Sequence, residues 1–208
     1  MRTLAILSLL SITLFSCPSC VRALVILTGA HDAFEETNET IYQYMLKHGI
    51  DTTNTLGLKK KEIIPSIMKE TNGALLFDRE GYAIDFNSTA EKPTRGGNIL
   101  STIRGLGPVT YFQRDSARTY MNEKTKWVFL KTGRSYPVTA NENYDYYVVY
   151  YWNLFAGRSN GAKFINYIKL RISENPRVKI KLHYINQDMR IGPDFKKKIQ
   201  AYKADRCN

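Results

Sequence analysis

The sequence predicts an α/β protein, a mixed sheet with flanking helices, and three stretches in its C-terminal third carry that prediction. Tyr146-Tyr147-Val148-Val149-Tyr150-Tyr151-Trp152 is aromatic or β-branched at every position, the composition of a strand covered on both faces. From Asn160 to Ser173, the residues Phe164, Ile165, Ile168 and Ile172 recur at helical spacing, and Asn175-Pro176 stops the run. Val178 to Ile185 then alternates, with Val178, Ile180, Leu182 and Tyr184 on one face and Lys179, Lys181 and His183 on the other. Strand, helix and strand in this order predict a right-handed βαβ core over residues 144–190.

An α+β extension is predicted ahead of that core. Asp32 to His48 reads as a helix whose apolar stripe is Phe34, Ile41, Met45 and Leu46, with Gly49 as its stop. Lys59 to Glu70 reads as a second helix with Ile63, Ile64, Ile67 and Met68 inward. Pro65 lacks an N–H, so it must fall within that helix's first turns or the helix must start later. After a turn at Asn72-Gly73, Ala74-Leu75-Leu76-Phe77 and Tyr82-Ala83-Ile84-Asp85-Phe86 flank Asp78-Arg79-Glu80-Gly81, the clearest hairpin signal in the chain. Two glycine-rich stretches, Arg95-Gly96-Gly97-Asn98 and Arg104-Gly105-Leu106-Gly107-Pro108, read as loops, because their order matches no phosphate-cradling fingerprint. Trp127 to Leu130 is a further strand. With 43% hydrophobic residues, and no linker or repeat to divide it, the body of the chain reads as one globular domain over residues 17–208.

The N-terminus reads as an export signal. One positive charge in Met1-Arg2-Thr3 precedes the apolar run Leu4 to Phe15, which is shorter than the roughly 20 residues a spanning helix needs. Two cleavage sites compete. Leu14-Phe15-Ser16-Cys17 has the form of a lipoprotein signal, with residues 1–16 removed and Cys17 lipidated. Val21-Arg22-Ala23 has the form of an ordinary site, with residues 1–23 removed, and Leu24 to Leu27 is then either a short strand or the tail of the leader. The first implies a lipid-anchored protein of the cell envelope, and the second a secreted or periplasmic one. The three cysteines are Cys17, Cys20 and Cys207. Lipid on Cys17 leaves Cys20 and Cys207 as the pair available for a disulfide, and nothing in their spacing brings them together.

The formal net charge of +11 favours polyanionic neighbours such as anionic lipid, acidic glycan or nucleic acid, and export makes nucleic acid the least expected of these. The basic residues are scattered, with Lys59-Lys60-Lys61 and Lys196-Lys197-Lys198 as short solvated runs. Asn38-Glu39-Thr40 and Asn87-Ser88-Thr89 fit the glycosylation pattern, which carries weight only in a eukaryotic secreted protein.

The segment Trp152-Asn153-Leu154-Phe155-Ala156-Gly157-Arg158-Ser159-Asn160 resembles the active-site segment of the thioredoxin superfamily. There a buried strand ends in tryptophan, an aromatic follows three residues later, and Cys-Gly-Pro-Cys opens the next helix. Trp152 and Phe155 match the aromatics, Ala156 and Ser159 stand at the cysteines, Gly157 at the glycine and Arg158 at the proline. Val178 to Asp188, ending Ile185-Asn186-Gln187-Asp188, is similar to the family's second strand. The resemblance covers the last third of the chain. It implies a thioredoxin-like domain without redox chemistry, because Ala156 has no nucleophile and a helix end does not ionise the Ser159 hydroxyl near neutral pH. About twenty residues follow Asp188, too few for the family's closing strand pair and helix. Either the hairpin of residues 75–86 supplies those strands from the N-terminal side, or the fold is a different three-layer or α+β one.

Other chemistry finds little support in the residues. His31, His48 and His183 are isolated, and His31-Asp32 with Glu35-Glu36 is the one histidine beside carboxylates, an arrangement the first turn of a helix explains by its dipole. Asp78, Glu80 and Asp85 read as a solvated turn. No cofactor motif, zinc spacing or Ser-His-Asp order is present. The leading expectation is an envelope lipoprotein whose redox-inactive domain binds a partner, an envelope protein or an anionic glycan, or serves structurally. Two alternatives are a secreted hydrolase or transferase that uses His31 with nearby carboxylates, or a site assembled by the glycine-rich loop, a reading that gains if His31, Asp32, Arg95 and Arg104 converge in one pocket, and a basic adhesion module for anionic glycan or lipid.

Overall fold

The computed structural model describes residues 36–53, 55–70, 73–85, 97–108, 112–139, 142–155 and 160–188. Its elements in chain order are α1 (Asn38–Lys47), β1 (Leu56–Leu58), α2 (Lys60–Glu70), β2 (Ala74–Asp78), β3 (Tyr82–Ile84), α3 (Gly97–Gly105), β4 (Arg114–Thr119), α4 (Tyr120–Lys124), β5 (Trp127–Phe129), β6 (Tyr146–Trp152), α5 (Asn160–Ser173) and β7 (Ile180–Asn186). The expected α/β architecture is present. The strands form a seven-stranded mixed sheet in the order β4-β3-β2-β6-β7-β1-β5. β6 and β7 are parallel and in register from Tyr146↔Ile180 to Trp152↔Asn186, and β1 adds parallel to β7. The pairs β2–β6, β2–β3, β3–β4 and β1–β5 are antiparallel. The hairpin therefore lies directly beside β6.

Both faces of β6 are covered, as its composition requires. Tyr146, Val148, Tyr150 and Trp152 point into a core shared with Ile41 and Met45 of α1, Ile99 and Ile103 of α3, and Ile165 and Ile168 of α5. Tyr147, Val149 and Tyr151 point the other way, into a second core with Leu56, Phe77, Tyr120 and Trp127, against which Ile63 of α2 packs. Trp152 is completely buried, and removal of so large an apolar surface from water contributes about 3 kcal/mol.

Local chemistry sets the element ends. α1 starts at Asn38 rather than Asp32 because Thr37 caps it: the Thr37 hydroxyl accepts from the Thr40 amide, and the Thr40 hydroxyl accepts from the Thr37 amide. It stops at Gly49, whose φ of +63° suits a residue without Cβ. Pro65 is the sixth of the eleven residues of α2, inside the helix rather than in its first turn, and it has no N–H to give the Lys61 carbonyl. The Asp78 carboxylate accepts from the amides of Glu80 and Tyr82 and so shapes the hairpin connection, with Gly81 at φ +85°.

Two readings need correction. Gly97-Asn98 and Arg104-Gly105, expected as parts of loops, are the two ends of helix α3, because Ile99 and Ile103 between them repeat at helical spacing and both are buried under β2 and α5. β3 and β5 end at Ile84 and Phe129, short of Phe86 and Leu130. The lysine-bearing face of β7 is not open: Lys181 lies over the Tyr144 ring and His183 is buried under aromatics. The side chain of Met68, the segments 1–35 and 189–208 with Lys196-Lys197-Lys198, and Asn87 lie outside the described residues. No helix among the described residues is long and apolar enough to cross a membrane.

Candidate functional site

The parallel register of β6 and β7 brings the chain beyond Trp152 and the chain beyond Asn186 out of the sheet side by side. The Gln187 amide donates to the Trp152 carbonyl at 2.8 Å, continuing the ladder one step past the strands. Asp188, 3% exposed, then turns its carboxylate onto the backbone opposite. The Leu154 amide donates to both of its oxygens at 2.8 Å, the Phe155 amide reaches Oδ1 at 3.4 Å, and Asn186 Nδ2 donates to Oδ2 at 2.8 Å. In return the Asp188 amide donates to Asn186 Oδ1. Asn153 Nδ2 donates to Gln187 Oε1, and Gln187 Nε2 donates to Ser66 of α2.

Helices α1 and α5 close this end of the sheet. Tyr44 stacks on Trp152 with centroids 5.7 Å apart, and its hydroxyl accepts from the Ala162 amide in the first turn of α5. Gly161 permits this approach, since a Cβ there would lie 3.3 Å from Trp152 Cε3. Glu36 is buried just ahead of the α1 cap, held by the Thr40 hydroxyl. Burial raises the Asp188 carboxyl to about 6, the nearby Glu36 adds to the rise, and the hydrogen bonds from Asn186, Leu154 and Phe155 oppose it. With both oxygens engaged by backbone and side-chain donors, Asp188 is built to fix the segment that leaves β6.

A second polar cluster lies inside the opposite core. His183 Nε2 and the Tyr120 hydroxyl are 2.7 Å apart, ringed by Trp127 and Tyr136. Lys124 is completely buried. Its ammonium donates to the Thr139 carbonyl and to Glu142 Oε1 at 2.9 Å, and it lies over the rings of Tyr120 and Tyr136. Glu123, also buried, meets Lys126 and Arg118 and accepts from the Tyr151 hydroxyl at 2.5 Å. Burial raises the Glu123 carboxyl, yet these donors outweigh it and hold it below the usual carboxylate range. Burial depresses the His183 imidazole to about 4.

Of the residues singled out in the sequence, Trp152 and Phe155 fall at the first cluster, Trp152 buried and Phe155 half-buried. Ala156, Gly157, Arg158 and Ser159 lie outside the described residues, as do Cys17, Cys20, Cys207, His31, Asp32, Glu35 and Arg95. Glu36 joins the first cluster, whereas Arg104 is exposed in the last turn of α3, where its carbonyl accepts from Arg177. His48, which caps the end of α1, lies tilted against Tyr44 with ring centroids 4.5 Å apart. Among the described residues, no group of three His, Cys, Asp or Glu could hold a metal ion. The sequence reading missed the roles of Asp188, Lys124 and Glu123. A carboxylate two residues past an alternating strand is a usable signal for Asp188; the other two sit in the five-residue helix α4, which has no periodic signature.

Comparison of this chain with family models, with curated proteins and with solved structures gives no match.

Proposed function

We propose that this chain is an exported, lipid-anchored protein of the cell envelope whose thioredoxin-like domain has no redox centre and works as a binding or structural module. The observation that carries the reading is the surroundings of the Trp152 end. A strand covered on both faces stops at that tryptophan, α5 begins a few residues later, and a parallel neighbour returns to clamp the intervening backbone through Asp188. The hairpin of β2 and β3 lies antiparallel beside β6, in keeping with strands supplied from the N-terminal side.

Chemistry favours binding over catalysis. Ala156 and Ser159 offer no thiolate, and the carboxylate nearest the segment is engaged by backbone amides rather than held open for a substrate. A partner on the envelope side, protein or anionic glycan, suits the charge of +11. Mass spectrometry of the protein extracted from the membrane fraction tests the anchored half: the expected N-terminal residue is a lipid-modified Cys17. An unmodified chain starting at Leu24 would overturn it and leave a secreted or periplasmic protein.

A further inference from the structure

In the chain between β5 and β6, described over residues 130–139 and 142–145, residues 131–135 and 137–139 are exposed, while Leu130 is buried and Tyr136, Glu142, Tyr144 and Asp145 are half-buried. Tyr136 packs edge-on against Trp127 at 5.6 Å and against His183 at 5.7 Å. Lys124 holds the Thr139 carbonyl and the Glu142 carboxylate, and the Tyr147 hydroxyl donates to the Glu142 carbonyl at 2.6 Å. These ties converge around one imidazole. His183 is 6% exposed, and each neighbouring element presents a defined group to it. Tyr120 and Lys124 come from α4, Trp127 from β5, Tyr136 and Glu142 from the crossing chain, Lys181 from its own strand, and the uncharged Val149 from β6. Glu142 is the anion in this set, and Lys124 already engages it.

We propose that His183 is an acid-sensitive latch for the β5–β6 crossing: the ring is neutral while the crossing is seated, and taking up a proton places a third cation beside Lys124 and Lys181 under an aromatic cover, which lifts the crossing from Trp127 and Tyr120. Burial keeps the phenol of Tyr120 protonated, and its oxygen lies 2.7 Å from Nε2 of the ring. Burial is the main opponent of protonation, Lys181 and Lys124 add to it, and Glu142 works the other way. Seated, the ring titrates at about 4; with the crossing lifted, Tyr136 leaves the ring, water reaches it, and its pKa rises towards the ordinary 6.5. Linkage then increases the lifted population by up to about fifty-fold between pH 7 and pH 4.5.

Hydrogen exchange of the full chain, read by mass spectrometry on peptides from residues 130–139 and from α5, tests this. After correction for the intrinsic pH dependence of exchange, protection in 130–139 should fall at least several-fold, and up to about fifty-fold, from pH 7 to pH 4.5, while α5 keeps its protection. His183→Gln keeps an acceptor for Tyr120 but cannot gain a charge, and it should flatten the response. Lys181→Met removes a cation that opposes protonation and should move the midpoint to higher pH, a second readout should the glutamine variant fail to fold. Constant protection in the wild type, an unchanged response in His183→Gln, an unmoved midpoint in Lys181→Met, or loss of α5 protection in step with residues 130–139 would each overturn the latch.

Discussion

The carboxylate of Asp188, two residues past the end of β7, receives the amide of Leu154, two residues past the end of β6, at 2.8 Å on each oxygen. This contact ties together the two parallel strands at the one end of the sheet where the segment resembling a thioredoxin active site begins. It decides how that segment is held.

Removing the carboxylate should therefore loosen the segment and not merely weaken a surface bond. Asp188→Ala leaves the amides of Leu154 and Phe155 and the Asn186 side chain without their acceptor in a buried site. An unsatisfied buried donor costs about 1–3 kcal/mol, so a net loss of about 3 kcal/mol is expected in urea unfolding. Asp188→Asn, which keeps one acceptor oxygen, should fall between wild type and the alanine variant. A loss under 1 kcal/mol for Asp188→Ala would mean that water or a neighbour replaces the contact.

Two buried groups give opposite pH slopes. His183 is depressed from 6.5 to about 4, so its contribution to stability is present above 6.5 and is lost as pH falls towards 4. Asp188 is raised from 3.8 to about 6, so the folded state takes up its proton first, and stability rises as pH falls from 6 to 3.8. Each shift corresponds to about 3 kcal/mol, and over pH 6.5–4 the two largely cancel in the wild type. Chemical unfolding at a series of pH values should show His183→Gln gaining stability on acidification and Asp188→Asn losing it. Parallel slopes in the two variants would contradict the assignment.

Lys124 and Glu142 should respond unequally to loss of each other. Glu142→Gln leaves a completely buried ammonium without its anion, with the Thr139 carbonyl still accepting, whereas Lys124→Met leaves a carboxylate with 18% of its side chain exposed to water. The expected losses are about 3 kcal/mol and about 1–2 kcal/mol respectively. A double-mutant cycle measures both, and the reverse ordering would refute the burial argument.

Gly57 in β1 fits against Leu130, whose Cδ2 would overlap any Cβ placed there. Gly57→Ala should destabilise by about 2 kcal/mol through overpacking, and Leu130→Ala should make the double variant less than additive. Full additivity would show that the two positions do not press on one another.

The sequence made the inner strands legible because their chemistry is extreme. β6 has no polar residue to set its face, β7 alternates, and the hairpin carries Asp78 and Gly81 at fixed offsets. β4 was invisible because Arg114-Asp115-Ser116-Ala117-Arg118-Thr119 holds no large apolar residue; it is an edge strand, mostly exposed, and needs none. α3 hid among glycines because only Ile99, Ile103 and Leu106 signal its buried side. At the site, Trp152 and Phe155 stood out as residues, but the role of Asp188 follows from register. Only when Trp152 pairs with Asn186 does a carboxylate at 188 face the amides at 154 and 155. His183 looked isolated because its partners, Tyr120 and Trp127, come from elements some sixty positions away along the chain.

The thioredoxin-like reading of residues 152–160 can be tested by restoring what the segment lacks. In a Cys20→Ser/Cys207→Ser background, Ala156→Cys with Ser159→Cys should form an intramolecular disulfide, and the reduced form should show one thiol titrating well below the usual 8.5 at the start of α5. Two thiols that titrate near 8.5 and do not pair under mild oxidation would contradict the account.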